Sequence, residues 1–360
     1  MNVLDLLNDV KKEAVDYVPG GTPLPPIPEG ITKCKLDANE NQFGPSPKVV
    51  EALKGYLDDM YLYPANQITP TRNAIANNLG FEPNNIVMGT GSSSLICAVA
   101  DLFFNPGDEM VLSTPTYIAY TLLESRYGIT PVCVDNKNFA SDVHGMLASI
   151  TPKTKIAVIV NPNNPTGAKV SNEDMRYFME NVPEHVITVV DEAYFEWVDD
   201  KEHISMMEYV KAGKNVIVLR TFSKLYGLAG LRLGYAVTTP EIQQHLVKLE
   251  FNYGANRLVL QGAQIAIKDE EYIAASINNN TVGRNYISNA LKSFGFDIVE
   301  SSASFVYFNP HRDTQKFILD LNQYGVIIRG FGPTYVRVSI GRPEQNEQFV
   351  KAVEAILAKK

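Results

Sequence analysis

Between residues 80 and 240, short apolar runs alternate with stretches of helical spacing. The runs Ile86–Met88, Glu109–Ser113, Lys155–Val160, Val186–Val190, Val216–Leu219 and Leu233–Val237 have the length of strands. Several are apolar at both alternating sets of positions, as strands covered on both faces must be. Between them, Ser92–Phe104, Tyr117–Tyr127, Asn172–Met179 and Ser205–Lys211 carry helical patterns. This alternation predicts an α/β unit with a mostly parallel sheet covered by helices. Beyond about residue 245 the pattern changes. Long helical stretches at Gln261–Asp269 and Tyr272–Phe294 lead into short strands at Ser304–Phe308, Val326–Arg329 and Val336–Ile340. Helices are expected at Thr314–Tyr324 and Gln345–Ala358, which makes a smaller α+β unit. At the other end, Tyr17 to Gly30 holds five prolines and reads as an extended arm. A helix is expected over Lys48–Met60. The resulting division is an arm over 1–35, a large domain over 36–245 and a small C-terminal domain over 246–360.

Composition narrows the function classes. With 360 residues, 45% hydrophobic and 20% charged, the chain reads as an ordinary globular protein. A net charge of −8 argues against a nucleic-acid surface, which needs clustered Lys and Arg. Cys34, Cys97 and Cys133 are too few and too far apart for a disulfide framework or a zinc knuckle. Reduced thiols and a start without a secretory pattern lead to a cytoplasmic expectation. No apolar run approaches the ~18 residues of a membrane helix. The five histidines are scattered and neither HExxH nor GxSxG occurs, so no metal site and no serine hydrolase is expected.

In an open α/β sheet, ligands bind outside the carboxyl ends of the strands. Four polar clusters directly follow apolar runs. Gly89-Thr90-Gly91-Ser92-Ser93-Ser94 opens a helix, where glycines and exposed N–H groups suit a phosphate, although a plain helix cap would use the same residues. Asn161 to Gly167 is a turn fixed by two prolines, with Asn164 among three asparagines. Asp191 ends a buried run and needs a partner there, with Glu192 and Tyr194 following. Arg220-Thr221-Phe222-Ser223-Lys224 leads through a glycine-rich turn to Arg232. A lysine in such surroundings loses its proton more easily than one in water and becomes a nucleophile toward an aldehyde.

Each cluster alone is served as well by a structural role. Together they supply the groups that pyridoxal 5′-phosphate needs. Asp191 would keep the pyridine nitrogen protonated, Tyr194 and Asn164 would bond the ring hydroxyl oxygen, and Lys224 would bond the aldehyde carbon. Gly91, Ser92, Ser93, Ser223 and Arg232 would hold the phosphate.

The chain resembles fold-type I aminotransferases, and within them the histidinol-phosphate aminotransferases. The resemblance is carried by Asn39-Glu40-Asn41 with Gly44-Pro45-Ser46-Pro47, Tyr63-Pro64, Asn161–Gly167, Asp191-Glu192-Ala193-Tyr194, Arg220–Gly234 and Val336–Gly341. It implies an aspartate aminotransferase-like fold, with a mostly parallel seven-stranded sheet in a large cofactor domain and a smaller α+β C-terminal domain. It also implies transamination between histidinol phosphate and 2-oxoglutarate, with Lys224, Asp191 and Tyr194 as catalytic residues. Tyr117 would stack on the cofactor ring. Tyr63 would reach the phosphate bound by a neighbouring subunit, which implies a homodimer with shared sites. Arg337 would bind the substrate's anionic group, helped by Arg329, Asn164 and Tyr17. The chain departs from the family at Ser93-Ser94, Asn252–Asn256, Ser304 and Arg342; all but the first are expected toward the substrate side. Alternatives on the same scaffold are an aminotransferase for aromatic or other amino acids, a decarboxylase of amino-acid phosphates, and a non-catalytic cofactor-binding regulator.

Overall fold

The computed structural model describes residues 8–13, 23–250 and 254–359. Tyr17, Asn252 and Tyr253 lie outside the described residues. All six strands expected in the first unit form, and a seventh, Thr130–Asp135, joins them. In space the order is Ile86–Gly89, Gly234–Thr238, Val216–Thr221, Ile187–Asp191, Thr154–Val160, Glu109–Thr114 and Thr130–Asp135. Gly234–Thr238 is antiparallel to both its neighbours, while the other neighbouring pairs are parallel. The carboxyl ends of Ile86–Gly89, Val216–Thr221, Ile187–Asp191 and Thr154–Val160 therefore open along one edge.

The continuous apolar runs have a direct cause. Ala157, Ile159, Val190 and Val218 face one core, whereas Ile156, Val158, Val189 and Ile217 face another on the opposite side of the sheet. Burying each Val, Ile or Leu contributes about 1.5–3 kcal/mol, so both faces favour apolar side chains. Thr130–Asp135 borders only Glu109–Thr114 and stays half-exposed, which explains its weaker apolar signal.

Helices deviate where local chemistry stops them. The one expected over Lys48–Met60 runs Pro47–Lys54, capped by Ser46, and only a short turn, Leu57–Asp59, follows. Tyr117–Tyr127 divides into Ile118–Thr121 and Leu123–Tyr127. A helix at Ala65–Leu79 was not expected, because it contains Pro70 and buries only Thr71, Ile75 and Ala76.

In the second unit the antiparallel order is Arg329–Phe331, Tyr335–Ser339, Phe305–Asn309 and Asp297–Ile298. The single strand expected at Val326–Arg329 is two, since the chain changes partner: Val326–Ile327 pairs in parallel with Cys34–Lys35 instead. Leu36, Phe308, Phe317, Val338 and Phe349 fill this core. The helix Arg257–Ala266 precedes it, and its Val259, Leu260 and Ala263 pack into the first core with Val49. Among the described residues no helix is long and apolar enough to cross a membrane.

Candidate active site

A cavity of about 720 Å³ opens at the carboxyl edge of the large sheet. The small unit closes its other side with Arg329–Gly332 and Arg337. Every described site residue expected from the sequence lines it, except Gly91 and Tyr63.

Lys224 follows the strand Val216–Thr221 by three residues. Its Nζ donates to the carbonyls of Ala38 and Asn39, both at 3.2 Å, and lies 5.5 Å from the centre of the Tyr194 ring. Burial, reinforced by Arg337, lowers the amine from its usual range to about 8. A useful fraction is therefore neutral, and so nucleophilic, near neutral pH.

Asp191 is the last residue of Ile187–Asp191 and only 2% exposed. It accepts from the Tyr120 hydroxyl at 3.0 Å and from the Ala193 N–H at 3.1 Å. Burial raises its carboxyl to about 6, and among the described residues no cation forms an ion pair with it. A buried carboxylate in this state is completed by a cationic N–H donor. A protonated pyridine ring would supply one. Glu192, next along the chain, bonds instead to Arg220 Nε and Nη2 at 2.9 and 2.7 Å. Only the first carboxylate of the pair lines the cavity.

The opposite end suits an anion. The helix Ser92–Phe103 begins after Gly91, whose φ of 78° is left-handed backbone that glycine tolerates. A Cβ on Gly234 would stand 2.6 Å from the Gly91 carbonyl carbon and nearer still to Ser92 N. The strand thus packs directly under the helix N-terminus. Arg232 donates to Ser223 Oγ at 3.3 Å and to Ala229 O at 2.9 Å, and forms no ion pair among the described residues. Helix N–H groups, a hydroxyl and a guanidinium together fit a phosphate. Ser93 Oγ lies 3.4 Å from the Tyr117 hydroxyl.

On the substrate side, Arg337 is 4% exposed, with its guanidinium 5.1 Å from the ring centres of both Phe305 and Phe331. It donates to Asn164 Oδ1 and to Asp37 O. Asn164 therefore keeps its N–H₂ as a donor. Arg329 lies 5.7 Å from the Phe331 ring.

Tyr63, expected to serve a neighbouring subunit, is 75% exposed and does not line this chain's cavity. Other placements differ from expectation. The described departures expected toward the substrate side, Gly254 to Asn256, Ser304 and Arg342, do not line the cavity. Asn256 caps the helix Arg257–Ala266 and donates to Leu231 O, Ser304 is buried, and Arg342 donates to Gln42 O. Sequence reasoning missed Tyr120, although it lies three residues after Tyr117, one turn along the same face. It also missed the role of Asn39, whose Nδ2 donates to the Tyr194 hydroxyl at 2.9 Å.

Known proteins of similar sequence and fold are plentiful. The chain is 38% identical over 353 residues to a histidinol-phosphate aminotransferase of Moorella thermoacetica, covering 95% of this chain and 90% of that one. A crystal structure of a putative histidinol-phosphate aminotransferase from Erwinia carotovora atroseptica superposes with a TM-score of 0.87 at 26% identity, covering 91% and 96% of the two chains. The Sinorhizobium meliloti histidinol-phosphate aminotransferase, solved in complex with pyridoxal-5′-phosphate, has a TM-score of 0.86 at 28% identity, covering 91% of each. The fold-type I, aspartate aminotransferase-like architecture is thus the one observed. The family described as aminotransferase class I and II matches residues 31–353, and the chain belongs to that family of pyridoxal-phosphate-dependent transaminases.

Proposed function

We propose that this chain transfers an amino group from histidinol phosphate to 2-oxoglutarate, using pyridoxal 5′-phosphate held in the cavity described above. The observation that carries it is one cavity holding a lysine amine lowered to about 8, a buried carboxylate with no ion pair among the described residues, and the guanidiniums of Arg329 and Arg337. When bound, the cofactor supplies a cationic ring that takes up the charge released at the substrate's Cα. Asp191 holds the proton on the ring nitrogen. Lys224 Nζ would be the base that takes the Cα proton and passes it to the carbon that carried the cofactor's aldehyde. Tyr194 and Asn164 would bond the ring oxygen, and Tyr117 would pack against the ring. Ser92, Ser93, Ser223 and Arg232 hold the phosphate, with Gly91 shaping their loop. Arg337 and Arg329 bind the phosphate of one substrate and a carboxylate of the other, since a planar guanidinium suits both oxyanions.

The division into 1–35, 36–245 and 246–360 is part of the same proposal, with the helix Arg257–Ala266 joining the two larger parts. So is a cytoplasmic homodimer in which Tyr63 completes the neighbour's phosphate site. The exposed run Met60 to Tyr63 supports this. A donor panel tests the reaction. Reconstituted with the cofactor and given 2-oxoglutarate, the protein is expected to use histidinol phosphate with a kcat/KM at least about tenfold above phenylalanine. A panel led by phenylalanine would reassign the substrate. Carbon dioxide release without 2-oxoglutarate would make it a decarboxylase.

A further inference from the structure

Asn39 stands on the segment between the strand Cys34–Lys35 and the helix Pro47–Lys54, and it is 2% exposed. Its φ of 55° is left-handed backbone, a conformation that asparagine adopts more readily than most residues. Its backbone N–H donates to Ser339 Oγ at 2.9 Å. Ser339, at the end of Tyr335–Ser339, is fully buried, so its own hydroxyl proton needs an acceptor. That acceptor is Asn39 Oδ1, at 2.8 Å.

Those two bonds set the direction of the Asn39 amide. With Oδ1 turned to Ser339, Nδ2 faces the Tyr194 hydroxyl at 2.9 Å. Turning the amide over would leave the Ser339 proton facing an N–H, with no other acceptor recorded for it among the described residues. An amide N–H₂ only donates. The Tyr194 oxygen therefore accepts from Asn39, and the phenol's own proton lies away from Asn39. Tyr194 lines the cavity beside Lys224, whose Nζ is bonded to the Asn39 carbonyl.

We propose that Asn39 is a positioning residue, whose amide is locked by Ser339 and keeps the Tyr194 hydroxyl proton directed into the cavity, toward the cofactor's ring oxygen. The relay runs Ser339 to Asn39 to Tyr194, and so joins the strand that carries Arg337 to the cofactor side of the cavity. It rests on the cofactor assignment made above. A hydrogen bond donated to the ring oxygen favours its anionic form, and this lowers the pH at which the bound cofactor's visible absorption changes.

The experiment is a spectrophotometric pH titration of the protein reconstituted with pyridoxal 5′-phosphate. Tyr194→Phe removes the donor and is expected to raise the midpoint by about one unit. Asn39→Asp is nearly isosteric and tolerates the left-handed backbone. It keeps one oxygen on Ser339 but sets an acceptor opposite Tyr194, so the phenol proton turns away from the cavity. Its midpoint is expected to rise toward that of Tyr194→Phe and to shift little further in the double variant. Ser339→Ala frees the amide to turn and is expected to shift the midpoint the same way by less; it also serves if Asn39→Asp does not fold. A midpoint unmoved in Asn39→Asp and Ser339→Ala overturns the relay. So does an Asn39→Asp shift of equal size with and without the Tyr194 hydroxyl, which would be the direct field of the new carboxylate. Wild-type protein that gains no visible band on adding the cofactor instead overturns the functional reading itself.

Discussion

A lysine amine in water keeps its proton until above pH 10, whereas burial and Arg337 bring the Lys224 amine down to about 8. Below 8 the protonated, unreactive form dominates, and above it the neutral form. The rate at which the cofactor-free protein takes up pyridoxal 5′-phosphate should therefore rise about tenfold per pH unit up to about 8 and then level off, as stopped-flow absorbance would record. Asp191 works in the opposite sense. Burial raises it to about 6, so acidification below that value removes the charge meant for the ring nitrogen. Cofactor affinity measured by absorbance titration should fall as the pH drops through about 6. Asp191→Asn should remove that step and lower kcat/KM by about a hundredfold or more. Lys224→Ala should lose both the visible band and transamination; a variant that kept both would refute the role given to this lysine.

The strands Ile187–Asp191 and Val216–Thr221 are held in register at their carboxyl ends by a buried ion pair. Glu192 accepts two bonds from Arg220 and others from Ser205 Oγ and the Met206 N–H, while Arg220 also meets Glu196 at 3.2 Å and lies 4.0 Å from the Phe195 ring. Glu192→Ala would leave a guanidinium buried beside a single remaining carboxylate. The expected cost is about 3–5 kcal/mol, read from urea denaturation of the cofactor-free protein. At the other end of the cavity, a Cβ on Gly234 meets backbone rather than a yielding side chain. Gly234→Ala should push back the start of the helix Ser92–Phe103 and weaken pyridoxal 5′-phosphate binding at least about tenfold, with smaller loss for a phosphate-free analogue. The interior strands were legible because covering both faces demands unbroken apolar runs. The edge strand Thr130–Asp135 has no such demand, and Pro70 hid the helix Ala65–Leu79. Asn164, Asp191 and Lys224 were legible because each ends or closely follows its strand. Tyr120, Asn39 and Ser339 act through bonds that span 71, 155 and 300 residues of sequence, and periodicity does not encode such pairings.

At the scale of the whole molecule, four consecutive large apolar or aromatic residues stand on the surface. Met60, Tyr61, Leu62 and Tyr63 are 61%, 82%, 42% and 75% exposed. Single exposed apolar residues are ordinary, but a contiguous group marks a contact surface. Tyr63 is also an expected cofactor ligand that does not line the cavity of its own chain. A shared site would account for both facts, because a two-fold dimer would bury the run and hand each Tyr63 to the other cavity. Subunit mixing separates this from a dimer with independent sites. Tyr63→Ala and Lys224→Ala chains would each be impaired alone, yet a mixed dimer would join an intact Lys224 and the partner's intact Tyr63 in one of its two sites. After unfolding and refolding together in equal amounts, half the dimers are mixed, so activity should recover to about a quarter of wild type. Recovery no greater than the sum of the separate variants would mean that each chain builds its site from its own residues alone.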